Sequence, residues 1–254
     1  MDKIGISVLS TNRFYCLKRF VESFQKYTDV NKYKLIISDD SNDKYELEQI
    51  KELCVKNDWV EFYHIGSRVG VARNTNNVLD LMKDNDYSFI FNNDCEILND
   101  GWIDFYVNAM KKTKIHHFCF QQEGLWGAGT DKRPEIRSVI DGVEIKTIQE
   151  YPQGALLVYD KKAFKTVGYF DVNCFASNIY GYAHHLWSLS VSESNIQLKG
   201  IHDVIGSNKY IKVHNEQSCT PPDERIESYR KNREIFQEEM RKLRNKERNV
   251  YTSK

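Results

Sequence analysis

The chain reads as an α/β domain with a mixed, mostly parallel central sheet flanked by helices, ending in a helical extension. Three observations predict this. Over the first hundred residues, short apolar runs alternate with segments of helical periodicity, the pattern of βαβ units. Several of these runs end in clusters of small polar and acidic residues, where open parallel sheets place their ligands. The composition is that of one large domain or two tightly joined halves: 254 residues, 41% hydrophobic, with only 4 Pro and 13 Gly.

Ile4–Leu9 is a short apolar run closing in the turn and capping cluster Ser10-Thr11-Asn12. Phe14–Tyr27 carries apolar residues at 14, 17, 20, 21 and 24, one face of a helix. Tyr33–Ile37 is a second strand, followed by the acidic turn Ser38-Asp39-Asp40-Ser41-Asn42-Asp43. Tyr45–Val55 reads as helix, Val60–Ile65 as strand, Ala72–Met82 as helix and Tyr87–Phe91 as strand. Trp102–Lys112 is a further helix, and residues 116–152 read as short strands and loops. Gly154–Tyr159 is a strand, Lys161–Val167 a helix and 208–214 a last strand. After Pro221-Pro222, the charged stretch Asp223–Arg248 has apolar residues at 226, 229, 236, 240 and 243, at helical spacing.

Lys and Arg number 36, as do Asp and Glu, so the formal net charge is zero. That excludes a globally basic nucleic-acid binder, though not a local basic patch. A chain of this length buries enough surface to fold without disulfides or a structural metal. The six cysteines lack any C-x-x-C pair and are expected as free thiols. With no signal-peptide pattern and no run of about 20 apolar residues, the expected setting is cytoplasmic, without a transmembrane segment.

Chemistry-bearing residues gather at the predicted strand ends. In Asn93-Asp94-Cys95-Glu96 two carboxylates at i and i+2 suit a hard divalent cation, although such a triplet also suits a solvated turn. Asp39-Asp40 fits either a turn or an acceptor for a nucleobase N–H or ribose hydroxyl. Gly70-Val71-Ala72-Arg73-Asn74 opens a helix whose N-terminus favours anions, with Arg73 as a forked cationic contact. His116-His117 and His184-His185 are adjacent pairs whose side chains should point apart. His64 and His202 read as structural or surface residues, and His214 ends the last strand.

In order along the chain, Ile4–Leu9, Ile37–Asp43, Gly70–Asn74 and Phe91–Glu96 resemble the successive motifs of family 2 glycosyltransferases: V-D-D-G-S-x-D, then G-x-x-x-A-R-N, then D-x-D. Gly154-Ala155, Lys162-Ala163-Phe164 and Val167-Gly168-Tyr169-Phe170-Asp171 resemble the family's G-x(n)-R-x-x-F-x-x-x-G-x-F-D segment. Ile179–His185 sits where the family carries G-x-E-D or G-x-E-H, and Val213-His214-Asn215-Glu216 resembles its late histidine. The resemblance covers residues 3–217 and implies the GT-A, Rossmann-like fold.

The resemblance also implies roles. Thr11, Asp39 or Asp40, Arg73, Asn74 and Asn93 would contact the nucleotide of a nucleotide-sugar, a UDP-sugar foremost. Asp94, Glu96 and His214 would hold Mn2+ or Mg2+ on the diphosphate. Ala183 stands where the family has its Glu, and a methyl group cannot accept a proton. The general base is therefore expected from His184, Asp171 or Glu123. By this reading residues 1–99 form the nucleotide-sugar half, 100–220 the acceptor half and 221–254 a charged helix. The expected acceptor is a glycan or lipid-linked saccharide. The alternatives are a hydroxymethylated base in DNA, as in phage DNA glycosylation, and a catalytically weak nucleotide- or sugar-binding module. Ten basic and seven acidic residues over 223–254 leave a net of +3, suited to a solvated helix over the domain, an oligomer contact or a phosphate-facing surface.

Overall fold

The structure is a computed structural model that describes residues 2–122, 135–148, 154–175, 181–214 and 221–254. Its N-terminal part runs β1 (Ile4–Ser10), α1 (Phe14–Tyr27), β2 (Leu35–Asp39), α2 (Lys44–Val55), β3 (Val60–His64), α3 (Val71–Met82) and β4 (Tyr87–Asn92). There follow β5 (Cys95–Ile97), α4 (Trp102–Thr113), β6 (His117–Cys119), β7 (Glu135–Ile140), β8 (Val143–Ile148), β9 (Leu156–Asp160) and α5 (Lys161–Val167). The chain closes with α6 (Ala183–Glu193), β10 (Ile201–Val204), a 3-10 turn (Ser207–Lys209), β11 (Ile211–Val213) and α7 (Pro222–Arg244).

Among the described residues the main sheet has nine strands in the order β3-β2-β1-β4-β9-β6-β10-β8-β7. Its segment β3-β2-β1-β4 is parallel throughout. Only β9 and β8 run against the rest. The reversal of β9 matters for function: it brings the start of that strand to the edge where β1, β2 and β4 end. A separate ribbon pairs β11 with β5, placing Val213 opposite Cys95.

Strand alternation divides the apolar residues between the two faces. Ile6, Val8, Leu35, Ile37, Phe89 and Phe91 pack into a core with α1, α2 and α4. Ile90, Leu157 and Tyr159 pack into another with α3, α5, α6 and α7. Trp102 anchors the first, edge-on to both Phe89 and Phe91 with ring centroids 5.1 and 5.4 Å away. Trp187 anchors the second, stacked on Phe170 at 5.7 Å. The five cysteines among the described residues are free thiols, as composition predicts.

The structure departs from sequence expectation mainly after residue 180. Helix α6 carries no amphipathic signal because it is buried all round; Leu186 to Ser192 are each covered. Its run Ser188-Leu189-Ser190-Val191-Ser192 alternates like a strand but is held as helix by that burial. Strand β10 is hidden by two buried polar residues, His202 and Asp203. The expected strand over 208–214 shrinks to 211–213, after the 3-10 turn, and the second strand starts two residues later than expected, at Leu35. In α7 the predicted apolar stripe is displaced: Ile226 is exposed, while Ser228, Asn232, Phe236, Glu239 and Leu243 face the domain. No helix among the described residues is long and apolar enough to cross a membrane.

Beneath α6, His117 Nδ1–H donates to the Val158 carbonyl (3.0 Å), which fixes Nε2 as the acceptor for the Ser188 hydroxyl (2.9 Å). Burial holds this imidazole neutral, with its pKa lowered to about 4. The unfolded chain takes up that proton near pH 6.5, so the unfolded state binds more protons between 6.5 and 4. Stability is complete above pH 6.5 and is lost as pH falls toward 4. Urea titrations should show a decrease of about 3 kcal/mol attributable to this group across that window. His117→Gln should flatten that slope.

Candidate active site

The carboxyl ends of β1, β2 and β4 share one edge, and the side chains there tie the strand ends together. Asp39, fully buried, accepts from the Ser41 amide (3.0 Å), the Ser41 hydroxyl (2.8 Å) and His64 Nδ1 (3.1 Å). Asp40 accepts from the Thr11 hydroxyl and from the Gly70 amide (2.9 Å). The first amide at the entrance of α3 is thus taken by the Asp40 carboxylate. Asn12 adopts a left-handed backbone (φ 43°), which asparagine tolerates better than most residues. Its side-chain oxygen accepts from the amides of Asn42 (2.9 Å) and Asp43 (3.0 Å), and its own amide donates to the Ser41 hydroxyl (2.8 Å).

Three buried polar atoms line this edge without a hydrogen-bond partner among the described residues: Ser10 Oγ, Asn74 Oδ1 and Asn93 Nδ2. Leaving such groups unmade costs about 1–3 kcal/mol each, a cost that a polar ligand would relieve. Asn74 reaches back toward the Ser10 carbonyl (3.4 Å). Arg73, by contrast, is exposed on the first turn of α3.

Cys95 is buried and its thiol donates to the Ala155 carbonyl (3.2 Å). Strand alternation therefore turns Glu96 to the opposite side. There Glu96 Oε2 accepts from His214 Nε2 at 2.6 Å, and the His214 amide donates to the Asp94 carbonyl at 3.0 Å. The β5–β11 ribbon is what brings positions 94–96 and 214 together across the sequence. Asp94 Oδ2 lies 3.8 Å from Arg13 Nη1, whose other nitrogen donates to Asn93 Oδ1 (2.5 Å). Two carboxylates and an imidazole are donors that Mn2+ or Mg2+ accepts, so the residue types fit. They are not a ready-made chelate: among the described residues no group of three or more His, Cys, Asp or Glu could hold a metal ion as placed.

At the other end of the edge stands Gly154, at the start of β9, with φ 70°. A Cβ built there would meet the His184 ring at 2.1 Å, so only glycine lets His184 sit against this strand. The Gly154 carbonyl accepts from Asn92 Nδ2 (3.3 Å), tying it to the end of β4. The rings of His184 and His185 lie 4.0 Å apart, contrary to the expectation that they diverge. They share the first turn of α6, where Tyr182 and Phe236 crowd His185. His116 and His117 do diverge: His116 Nδ1 pairs with Asp160 (2.6 Å), away from the buried His117. Asp171 is paired with Arg248 (2.7 Å). Glu123 lies outside the described residues, as do Ile179, Asn215 and Glu216.

The sequence model of the glycosyl transferase family 2 matches residues 6–170. The chain belongs to glycosyl transferase family 2. No curated relative matches it by sequence. Among solved structures, S. aureus TarS in complex with UDP-GlcNAc is similar at 15% identity and a TM-score of 0.62, over 95% of this chain and 65% of that one. GalNAc-T7 with UDP, GalNAc and Mn2+ is similar at 15% identity and 0.61, over 80% of this chain and 42% of that one. A mannosyltransferase from Pyrobaculum calidifontis in complex with GDP-Man and Mn2+ reaches 10% and 0.53, over 74% and 52%. These likenesses establish the GT-A fold expected of the family. The chain spans less than two thirds of the length of each of these structures.

Sequence reading missed Arg13, Ser41 and the support that His64 gives Asp39. Arg13 had a signal in its place directly after Ser10-Thr11-Asn12. Ser41 had its signal in the acidic turn that contains it, two residues after Asp39, whereas His64 had none, because its role depends on pairing between β2 and β3.

The Asp40 latch has a measurable consequence. Asp40→Ala removes an acceptor buried against Thr11 and Gly70, and should lower the unfolding free energy in urea by about 2–3 kcal/mol. Thr11→Ala, which leaves the amide contact intact, should cost about half as much.

Proposed function

We propose that this family 2 member transfers a sugar from a nucleotide-sugar, a UDP-sugar foremost, to a hydroxyl of a glycan or lipid-linked saccharide. The observation that carries the reading is the convergence, at one sheet edge, of Asp39 and Asp40, the unpartnered amide atoms of Asn74 and Asn93, and Asp94, Glu96 and His214. In this assignment residues 1–99 supply the donor half, with Asp39 and Asp40 shaping the base and ribose pocket. Thr11, Asn74 and Asn93 line it, and Arg73 reaches along the nucleotide from the helix entrance. Residues 100–220 supply the acceptor half.

Asp94, Glu96 and His214 would hold the divalent ion, Mn2+ or Mg2+. When bound, the ion neutralises charge on the departing nucleoside diphosphate. Arg13, beside Asp94, adds a second positive charge at the same place. His184 accepts the proton of the acceptor hydroxyl as that oxygen bonds to the anomeric carbon and the bond from this carbon to the diphosphate oxygen breaks. Histidine suits that task near neutral pH, which makes up for Ala183. The position of His184 in the first turn of α6, its ring against Gly154 beside the edge where β1, β2 and β4 end, supports this role better than the Arg248-paired Asp171.

A donor screen read by mass spectrometry tests the proposal, using UDP-glucose, UDP-galactose, UDP-GlcNAc and GDP-mannose against glycan and hydroxymethylated-DNA acceptors. Transfer to a saccharide is expected with Mn2+, lost on chelation and reduced at least about 100-fold in Asp94→Ala and in His184→Ala. Mn2+ binding followed by electron paramagnetic resonance should weaken in His214→Ala without any donor present. Nucleotide binding without turnover on any acceptor would overturn the enzyme reading in favour of a binding module.

A further inference from the structure

The family match ends at residue 170, and the segment that carries His184 lies beyond it. Tyr182, at the N-cap of α6, is fully buried and has a left-handed backbone (φ 54°). That conformation is unfavourable for a bulky aromatic residue, so its surroundings must hold it there. The aromatic part of those surroundings comes largely from α7. The Phe236 ring stacks on Tyr182 with centroids 5.0 Å apart and planes 19° from parallel, and the Tyr229 ring lies 4.9 Å away. Phe236 also meets His185 edge-on at 5.8 Å, and His185 in turn touches His184. From Tyr182 the backbone passes directly into the first turn of α6: its carbonyl accepts from the Leu186 amide at 2.9 Å.

An independent set of contacts fixes the preceding segment to the same part of the chain. Arg248 bridges Asp171 and Glu239 of α7. The Thr252 amide donates to the Val167 carbonyl (2.9 Å), and its carbonyl accepts from the Tyr169 amide (2.9 Å), forming a one-residue bridge at Gly168. Lys254 reaches Asp80 on α3 at 2.8 Å, where the Tyr169 hydroxyl also donates. Residues 167–171 before the His184 segment, and Tyr182 and His185 on either side of His184, are thus held by 222–254.

We propose that α7 and the strap behind it position the general base. Through the Tyr182 stack, Tyr229 and Phe236 hold the left-handed entry to α6 that sets His184 against Gly154. They are positioning residues: neither need touch donor or acceptor. The inference rests on His184 as the base of the proposed reaction. It gives residues 222–254, which the family match does not reach, a part in the chemistry. It also explains how Ala183 is accommodated, since the next residue is held where a proton acceptor is needed.

The test is steady-state transfer or hydrolysis of the best donor among those named above, using the full chain. Tyr229 is partly exposed and its replacement leaves the core intact; Phe236→Leu keeps most of the buried volume. Tyr229→Ala and Phe236→Leu should each lower kcat at least about tenfold and leave the donor KM within about twofold, while Tyr229→Phe, which keeps the ring, should match wild type. A fall in melting temperature with unchanged kcat would overturn the proposal, as would a joint loss of donor affinity and kcat. His184→Ala separates the two readings. If it retains wild-type kcat, the base assignment fails and takes the positioning role with it. If it is inactive while both α7 variants remain fully active, only the positioning role fails.

Discussion

The candidate site depends on two adjacent carboxylates turned back into the chain. Asp39 and Asp40 sit at the end of β2, where a parallel sheet leaves its strand termini without the lateral support they have farther in. Asp40 ties the residue after β1 to the loop before α3, and Asp39 ties the following turn to β3 through His64. Without these bonds, Ser10, Asn74 and Asn93 would have no fixed relation to one another. The carboxylates are costly to bury, and the amides and hydroxyls around them offset that cost. The polar atoms without a partner among the described residues belong to the neighbours of the carboxylates, not to the carboxylates themselves.

A second buried carboxylate does similar work farther along the chain. Asp203 accepts from the Tyr106 hydroxyl, the Val204 and Gln121 amides and the Ser207 hydroxyl, at 2.8–3.1 Å, with Lys146 Nζ at 3.6 Å. Burial pushes its pKa up, and Lys146 opposes that shift most strongly. Removing one partner of such a pair leaves an uncompensated charge and costs about 3–5 kcal/mol. The hub joins α4, β6, β8 and β10 at the point where the chain leaves the sheet for the region preceding β7. It ties these elements together much as Asp40 ties the loops after β1 and before α3, although it touches no proposed site residue.

How much of this could be read from the sequence follows from where the signals reside. Helix α1 and helix α5 matched their periodicity residue for residue, because each packs one face on a core and leaves the other to water. The three donor-side strands were legible as apolar runs, and their ends as polar clusters. Helix α6 was not legible, since burial on every side erases amphipathicity and its serines mimic a strand. The partnership of Glu96 with His214 could be suspected from family resemblance but not from spacing, as it depends on the two-strand ribbon β5–β11. The contact between His184 and Gly154 was beyond reach for the same reason. It needs the reversal of β9, which no local pattern announces.

The charge balance of the chain takes on a different meaning once the pairs are located. The +3 excess over 223–254 suited a solvated helix over the domain or an oligomer contact, with a surface for phosphates as the alternative. Much of that positive charge is already matched within the chain, however: Lys231 with Glu227, Arg241 with Glu238 and Glu247, Lys242 with Glu239, and Arg248 with Asp171 and Glu239. The exposed pairs contribute little stability individually and are screened by salt. Arg248 differs, being mostly covered and bridging two carboxylates from separate segments. Cations already paired with neighbouring carboxylates are poorly available to a nucleic-acid backbone, which needs several cations unpaired and aligned. The contacts that residues 222–254 make with Val167, Tyr169, Asp171 and Tyr182 are those of a clasp on the domain.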